Sequence, residues 1–247
     1  MYRRQAYLRQ AIFYPDKQPN WRAWPFTLPA VREMARIELH PSVTFFVGEN
    51  GSGKSTVLEA LAQALGFSAE GGSKNVRFQT VENSTSPLHD YLRLIRTPPV
   101  PRNHYFLRAE SFFNVASYME NIGYLDGYDG RRLHAISHGE AFMALLLNRL
   151  KGNGLYLFDE PEAALSPARQ LAALRAIDAL AREQSQFIIA THSPILLAYP
   201  HARIIRFDAD GVSEIAYEDC EHVRLTRDFL NHYPQRVARL LGEEDED

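Results

Sequence analysis

Gly48-Glu49-Asn50-Gly51-Ser52-Gly53-Lys54-Ser55 is the stretch that most restricts what this chain can fold into. It fits the phosphate-loop pattern at every specified position: Gly48, Gly53, Lys54 and a hydroxyl at Ser55. Val43 to Val47 ahead of it reads as a buried strand, and Thr56 to Leu65 behind it as a helix that Gly66 ends. Glycines let backbone N–H groups turn inward on a phosphate chain, and a helix N-terminus adds partial positive charge where the phosphates sit. Asn50, Gly51, Ser52, Gly53, Lys54, Ser55 and Thr56 are therefore the expected phosphate cradle. Lys54 is placed along the outer phosphates and Ser55 as a ligand of Mg²⁺.

The 247 residues can bury a sizeable core, and one α/β domain over 1–242 is expected, with an inserted region at 68–135. A formal charge of −3 argues against global coating of polyanions and leaves room for a local basic patch. A single cysteine, Cys220, excludes an internal disulfide and a cysteine-only metal site. No apolar run approaches a membrane span and no signal-peptide core follows Met1, so a cytoplasmic location is expected.

Taken in order, Ala6 to Tyr14 is strand-like, 15–29 is an irregular connection rich in proline and tryptophan, and Ile37 to Leu39 is a further short strand. Tyr14, Trp21 and Trp24 each offer a flat face to an adenine ring, but core packing is the expectation for large aromatics. Between the phosphate loop and 135 the pattern predicts a strand at Val76–Gln79, a short helix at His89–Arg96 and a strand from His104 to Ala109. Arg93, Arg96, Arg102 and Arg108 are a candidate basic strip for nucleic acid, with a solvated surface as the plainer expectation. Glu140 to Leu150 predicts a helix buried nearly all round. Leu155 to Phe158 reads as a parallel central strand, and Asp159-Glu160 stands at the C-terminal end where open α/β sheets place ligands. Ser166-Pro167 starts a helix with Leu171, Leu174, Ile177 and Leu180 as its apolar stripe. Phe187 to Ala190 is another buried strand, delivering Thr191 and His192 to the same edge. A hairpin over 204–217, one helix from 226 to 241 and an acidic tail at 243–247 complete the chain.

Adjacent residues on a strand point different ways, so Asp159 and Glu160 can take different jobs. Asp159 is assigned to Mg²⁺ and Glu160 to polarising the water that attacks a γ-phosphate. His192, on the neighbouring strand, would sense whether that phosphate is present. The plainer reading of the acidic pair is a cap beyond a core strand.

Gly48 to Thr56, Ile136-Ser137-His138-Gly139-Glu140, Leu155 to Glu160, Ala164-Leu165-Ser166-Pro167 and His192 occur in the order of ATP-binding-cassette (ABC) ATPases. They resemble that family's Walker A, signature, Walker B, D-loop and switch-histidine motifs. Phe106 to Asn114, Asp159 to Pro167 and Thr191 to Leu197 more closely resemble small stand-alone bacterial AAA-family ATPases of the SMC, RecF and OLD-like branch. The resemblance implies a P-loop NTPase fold with a mostly parallel central sheet flanked by helices, an N-terminal antiparallel β part and a small insertion. It implies Mg²⁺-dependent ATP hydrolysis by a homodimer that sandwiches ATP, Ser137 and Gly139 of one protomer capping the γ-phosphate held by the other. The dimer is expected to act on a partner that the sequence does not identify, with DNA or a DNA-processing protein as the candidate. The alternatives are the ATP-binding subunit of a membrane transporter and a nucleotide-gated module with little hydrolysis. Two departures stand out. Ile136-Ser137-His138-Gly139-Glu140 replaces Leu-Ser-Gly-Gly-Gln, and the family's Mg-contacting glutamine has no clear counterpart, Gln79 and Glu110-Ser111 each fitting in one respect only.

Overall fold

A computed structural model describes residues 6–73, 86–98, 100–110 and 137–242. The expected strand at 76–79, the aromatic segment after Glu110, Gln79, Ile136 and the acidic tail lie outside the described residues.

Six strands form the central sheet in the order β5-β6-β7-β3-β8-β9. They are β3 (Val43–Val47), β5 (Asn103–Arg108), β6 (Gly154–Asp159), β7 (Gln186–Ala190), β8 (Arg203–Asp208) and β9 (Gly211–Ile215). All neighbouring pairs run parallel except β8–β9, an antiparallel hairpin. Every residue of β3, β6 and β7 is buried, which is why these strands read as continuous apolar runs rather than alternating ones. Successive side chains leave a strand on opposite faces, so Phe45 joins one core and Phe46 the other. The first core is closed by α3 (His138–Ala144), α4 (Pro167–Arg182) and α5 (Pro194–Leu197). The second is closed by α1 (Pro29–Arg32), α2 (Lys54–Ala64) and the antiparallel sheet β2-β1-β4. That sheet comprises β1 (Leu8–Phe13), β2 (Arg36–Glu38) and β4 (Leu92–Arg96). Gln186 ties the two sheets, its Nε2 donating to the Leu8 and His40 carbonyls at 2.8 and 2.9 Å.

Several expectations change. The region 89–96 is not a helix: a 3₁₀ turn over Pro87–Tyr91 leads into β4, which pairs with β1 from Leu92↔Phe13 to Arg96↔Leu8. Pairing with a distant strand outweighed a local pattern too short to decide between periods. The C-terminal helix is two, α6 (Glu221–Asn231) and α7 (Tyr233–Leu241), broken at His232. Pro234 has no N–H and its ring crowds the carbonyl four residues back, so the helix cannot run through. After α3 the chain widens into a π-helical turn over Leu145–Arg149, and Leu147 stands exposed, so this segment is not buried all round. In α4, Ile177 and Leu180 are buried while Leu171 is 57% exposed. Tyr14, Trp21 and Trp24 are surface residues rather than core, Trp24 being 55% exposed. The four arginines form no single strip. Arg93 lies 5.9 Å over the Tyr14 ring on the antiparallel sheet, whereas Arg108 is enclosed in ion pairs at the end of β5.

Candidate functional site

Three adjacent strands, β3, β7 and β6, end together, and their C-terminal ends carry the phosphate loop, Thr191-His192 and Asp159-Glu160. The parallel register, Phe46↔Ala190 and Asp159↔Ala190, brings residues more than a hundred positions apart to one edge.

The loop leaves β3 at Gly48, whose φ is +146°. A Cβ there would lie 2.2 Å from the carbonyl oxygen of Phe207, a backbone atom that cannot swing away. Gly48→Ala is expected to destabilise the fold by about 3 kcal/mol or more, read as a lowered denaturant midpoint. Gly53 precedes α2 at φ +103° and offers no side-chain cap to the first turn of that helix. The orphan N–H groups of Lys54, Ser55 and Thr56 therefore border a hollow of about 240 Å³, shared with Asn50, Gly51, Gly53, Leu28, Trp24 and Glu160. A second hollow of about 480 Å³, which shares Asn50 and Gly51 with the first, is walled by Gly48 to Ser52 together with Arg206, Asp208, Glu221 and His222.

Lys54 is 3% exposed and its Nζ donates to the Glu49 carbonyl at 3.1 Å. Burial lowers its pKa, and the carboxylates of Glu160, Asp159 and Glu162 oppose that shift. Asp159 is 7% exposed, and burial pushes its carboxyl up to about 6, with the Ser55 hydroxyl and Arg108 pulling the other way. Its Oδ1 is buried with no hydrogen-bond partner among the described residues, and Arg108 Nε reaches Oδ2 only at 3.9 Å. An orphaned carboxylate oxygen beside a serine hydroxyl at a phosphate loop is the donor set a small hard cation takes, so Asp159 and Ser55 fit Mg²⁺.

Glu160 sits at φ 50°, ψ 51°, left-handed for a residue with a Cβ, while its N–H donates to the Ala190 carbonyl at 2.9 Å. This turn takes Glu160 out of the strand direction, where it borders the 240 Å³ hollow. His192 Nε2 lies 3.8 Å from Glu160 Oε1. Burial, then Lys54 and His222, lower the His192 pKa to about 4, so this imidazole is neutral at physiological pH.

Ser137 and Gly139 make their contacts elsewhere. Ser137 caps α3: its Oγ accepts from the Glu140 N–H at 3.3 Å, and its own N–H donates to Glu140 Oε2 at 2.9 Å. Arg169, from α4, donates to Ser137 Oγ at 3.1 Å and to Glu140 Oε1 at 3.3 Å. A Cβ on Gly139 would meet the Ala164 carbonyl oxygen at 2.7 Å, so only glycine lets this turn lie against the segment after β6. Gly139→Ala is expected to cost about 1–3 kcal/mol in thermal or denaturant unfolding, because that backbone must move.

Sequence reasoning gave Glu162 and His222 no role here, and it considered Arg108 and Trp24 only for other roles. Glu162 accepts the His192 N–H at 2.5 Å and so ties the turn after β6 to the end of β7. Arg108 bonds Glu59 at 3.2 Å, Trp24 walls the phosphate-side hollow, and His222 packs on His192. Glu162 alone had a local signal, two places beyond Glu160; the other three are brought in by tertiary contacts. At the end of β5, where the family's glutamine is expected, Glu110 projects to solvent.

Comparison with known proteins agrees with the motifs. Residues 140–198 match the family described as "AAA domain, putative AbiEii toxin, Type IV TA system", and residues 20–121 match a second family described as "AAA domain". No curated protein matches in sequence. Among solved structures, the SMC head domain from Thermotoga maritima is 16% identical, with TM-score 0.46, over 84% of this chain and 98% of that one. The structure described as "An inward-facing conformation of a putative metal-chelate type ABC transporter" is 14% identical, with TM-score 0.49, over 86% of this chain and 84% of that one. The ADP conformation of an ABC transporter's ATP-binding cassette is 16% identical, with TM-score 0.44, over 81% and 90%. No helix among the described residues is long and apolar enough to cross a membrane.

Proposed function

We propose that this chain, a P-loop ATPase domain of the ABC/SMC type, hydrolyses Mg-ATP and closes as an ATP-bound pair to act on a partner. The observation that carries the reading is the hollow in which the uncapped start of α2, Lys54, Ser55 and Glu160 meet. Cation, helix N-terminus and carboxylate in one small space form a set suited to a triphosphate and an attacking water.

In this reading Asn50, Gly51, Ser52, Gly53, Ser55 and Thr56 hold the phosphate chain through backbone N–H groups. Lys54, kept dry by its burial, places its ammonium against the outer oxygens, where its charge is little screened. Asp159 and Ser55 would hold Mg²⁺, which when bound supplies neutralising charge to the phosphates. Glu160, half-exposed and aimed by its left-handed backbone, orients the attacking water and accepts its proton. His192 donates from neutral imidazole toward the terminal phosphate, its backbone held by Glu162. Residues 1–242 act as one domain with 68–135 as an insertion. Ser137 and Gly139 would serve the nucleotide of a second copy. DNA or a DNA-processing protein is the partner class carried over from the sequence resemblance.

One observation favours a second reading, a nucleotide-gated clamp with slow turnover. Ser137 Oγ is already engaged by Arg169 and by the Glu140 N–H, contacts that must rearrange before it can cap a partner's phosphate. The pairing step is tested by light-scattering mass of Glu160→Gln with and without Mg-ATP. A shift from monomer to dimer only with ATP supports pairing; a mass that ATP leaves unchanged removes it. If that shift occurs while wild-type turnover stays well below about 1 s⁻¹, the clamp is the better reading.

A further inference from the structure

His192 does not stand alone beside the phosphate loop. The ring of His222, in the first turn of α6, lies 5.2 Å from it between centroids and is tilted by 48°. The two histidines arrive from different elements, one from the end of β7 and one from the C-terminal helices. In each, Nε2 is buried and has no hydrogen-bond partner among the described residues. Leaving one such atom unsatisfied typically costs about 1–3 kcal/mol, so two side by side need a reason.

Anchoring of α6 is not that reason. Val223 and Cys220 are buried in the core, and Tyr217 just ahead of them donates its hydroxyl to the Pro194 carbonyl at 3.1 Å. These contacts seat the helix without help from an imidazole nitrogen. His222 instead walls the hollow that Gly48 to Ser52 wall from the opposite side. It is close enough to Lys54 that the ammonium, after burial itself, lowers its pKa. The same two influences act on His192. Both imidazoles thus feel the field of the buried Lys54 ammonium, and each can carry its proton on Nε2. Glu160 Oε1 stands 3.8 Å from His192 Nε2, beyond hydrogen-bond reach, so each imidazole keeps an unused nitrogen, and two such nitrogens near a buried ammonium suit an anion.

We propose that His222 is a second histidine donor to the terminal phosphate of the bound nucleoside triphosphate, brought by α6 alongside His192. The proposal rests on the ATPase reading above and deepens it.

The test uses the full chain with Glu160→Gln to prevent turnover, titrated calorimetrically with Mg-ATP and with Mg-ADP. His222→Ala is expected to weaken ATP about 10-fold or more while leaving ADP unchanged, because ADP lacks the group that His222 contacts. His222→Gln, which keeps an N–H donor, is expected to recover part of the loss. The ADP titration doubles as a check that the variant is folded. Equal weakening of both nucleotides would assign His222 a structural role and overturn the proposal. Unchanged affinity for both would overturn it too, while leaving the ATPase reading intact. If the Glu160→Gln parent binds neither nucleotide, the ATPase reading itself falls and this inference with it.

Discussion

Glu160→Gln lowers Mg-ATP turnover by about 10²–10⁴-fold and leaves ATP affinity within a few-fold of wild type. The rate loss is that typical of removing a positioned general base. Affinity is spared because binding falls to Lys54 and the loop amides, and the amide of glutamine can still occupy the space. The left-handed backbone at 160 is set by the Ala190 hydrogen bond and the Pro161 turn, neither of which the substitution touches. Stopped turnover with retained binding traps the triphosphate state. Phosphate release measured beside equilibrium binding separates this outcome from simple misfolding; a variant turning over at the wild-type rate would remove Glu160 from the chemistry.

Asp159→Asn acts in two opposite directions. Without ligand, Asp159 has a carboxyl pKa of about 6 against 3.8 as its ordinary value, chiefly because burial penalises its charge. For a group raised in the folded state, the stabilising contribution is complete below the unfolded value and disappears as pH climbs through the folded one. The window here is roughly pH 4 to 6. Above it the nucleotide-free protein carries the whole penalty, up to about 3 kcal/mol at 1.36 kcal/mol per pH unit. Asparagine never ionises, so Asp159→Asn raises the melting temperature of the nucleotide-free protein at pH 7.5 by several degrees, and the difference vanishes by about pH 4. The same variant loses Mg²⁺-dependent turnover and gains little from added Mg-ATP. Differential scanning calorimetry at the two pH values reads the first effect. A variant less stable than wild type at pH 7.5 would mean that the charge of Asp159 is already compensated within the chain.

The phosphate loop and the three buried strands were legible because their signals are local. A parallel central strand must be apolar on both faces, and a loop that folds over phosphates needs glycine where the backbone is left-handed or crowded, as Gly48 is by Phe207. Likewise Ser166-Pro167 announced α4, since a capping hydroxyl and a proline at the first position act within one turn. Elements decided by distant partners were not legible. Leu92 to Arg96 became a strand because β1 supplies its hydrogen bonds. Arg108 belongs with Glu59 and Asp159 because the β5–β6 register sets it opposite Asp159, whereas its neighbours in sequence suggested a solvated surface. Trp24 was expected in a core on size alone, but the fold had already filled both faces of the sheet and left it over the phosphate-side hollow. His222 carries no motif, and only the packing of α6 across the end of β7 gives it significance.

The most direct measurement is the rate of phosphate release from ATP by the wild-type chain, with Mg²⁺, with the metal chelated, and for Lys54→Ala with Mg²⁺. Among the described residues Lys54 is the one buried cation at the loop, so its positive charge toward the outer phosphates is the least screened. Turnover that requires Mg²⁺ and falls at least about 100-fold in Lys54→Ala is the predicted result. No turnover by the wild-type chain, or turnover that persists in Lys54→Ala, would contradict the account.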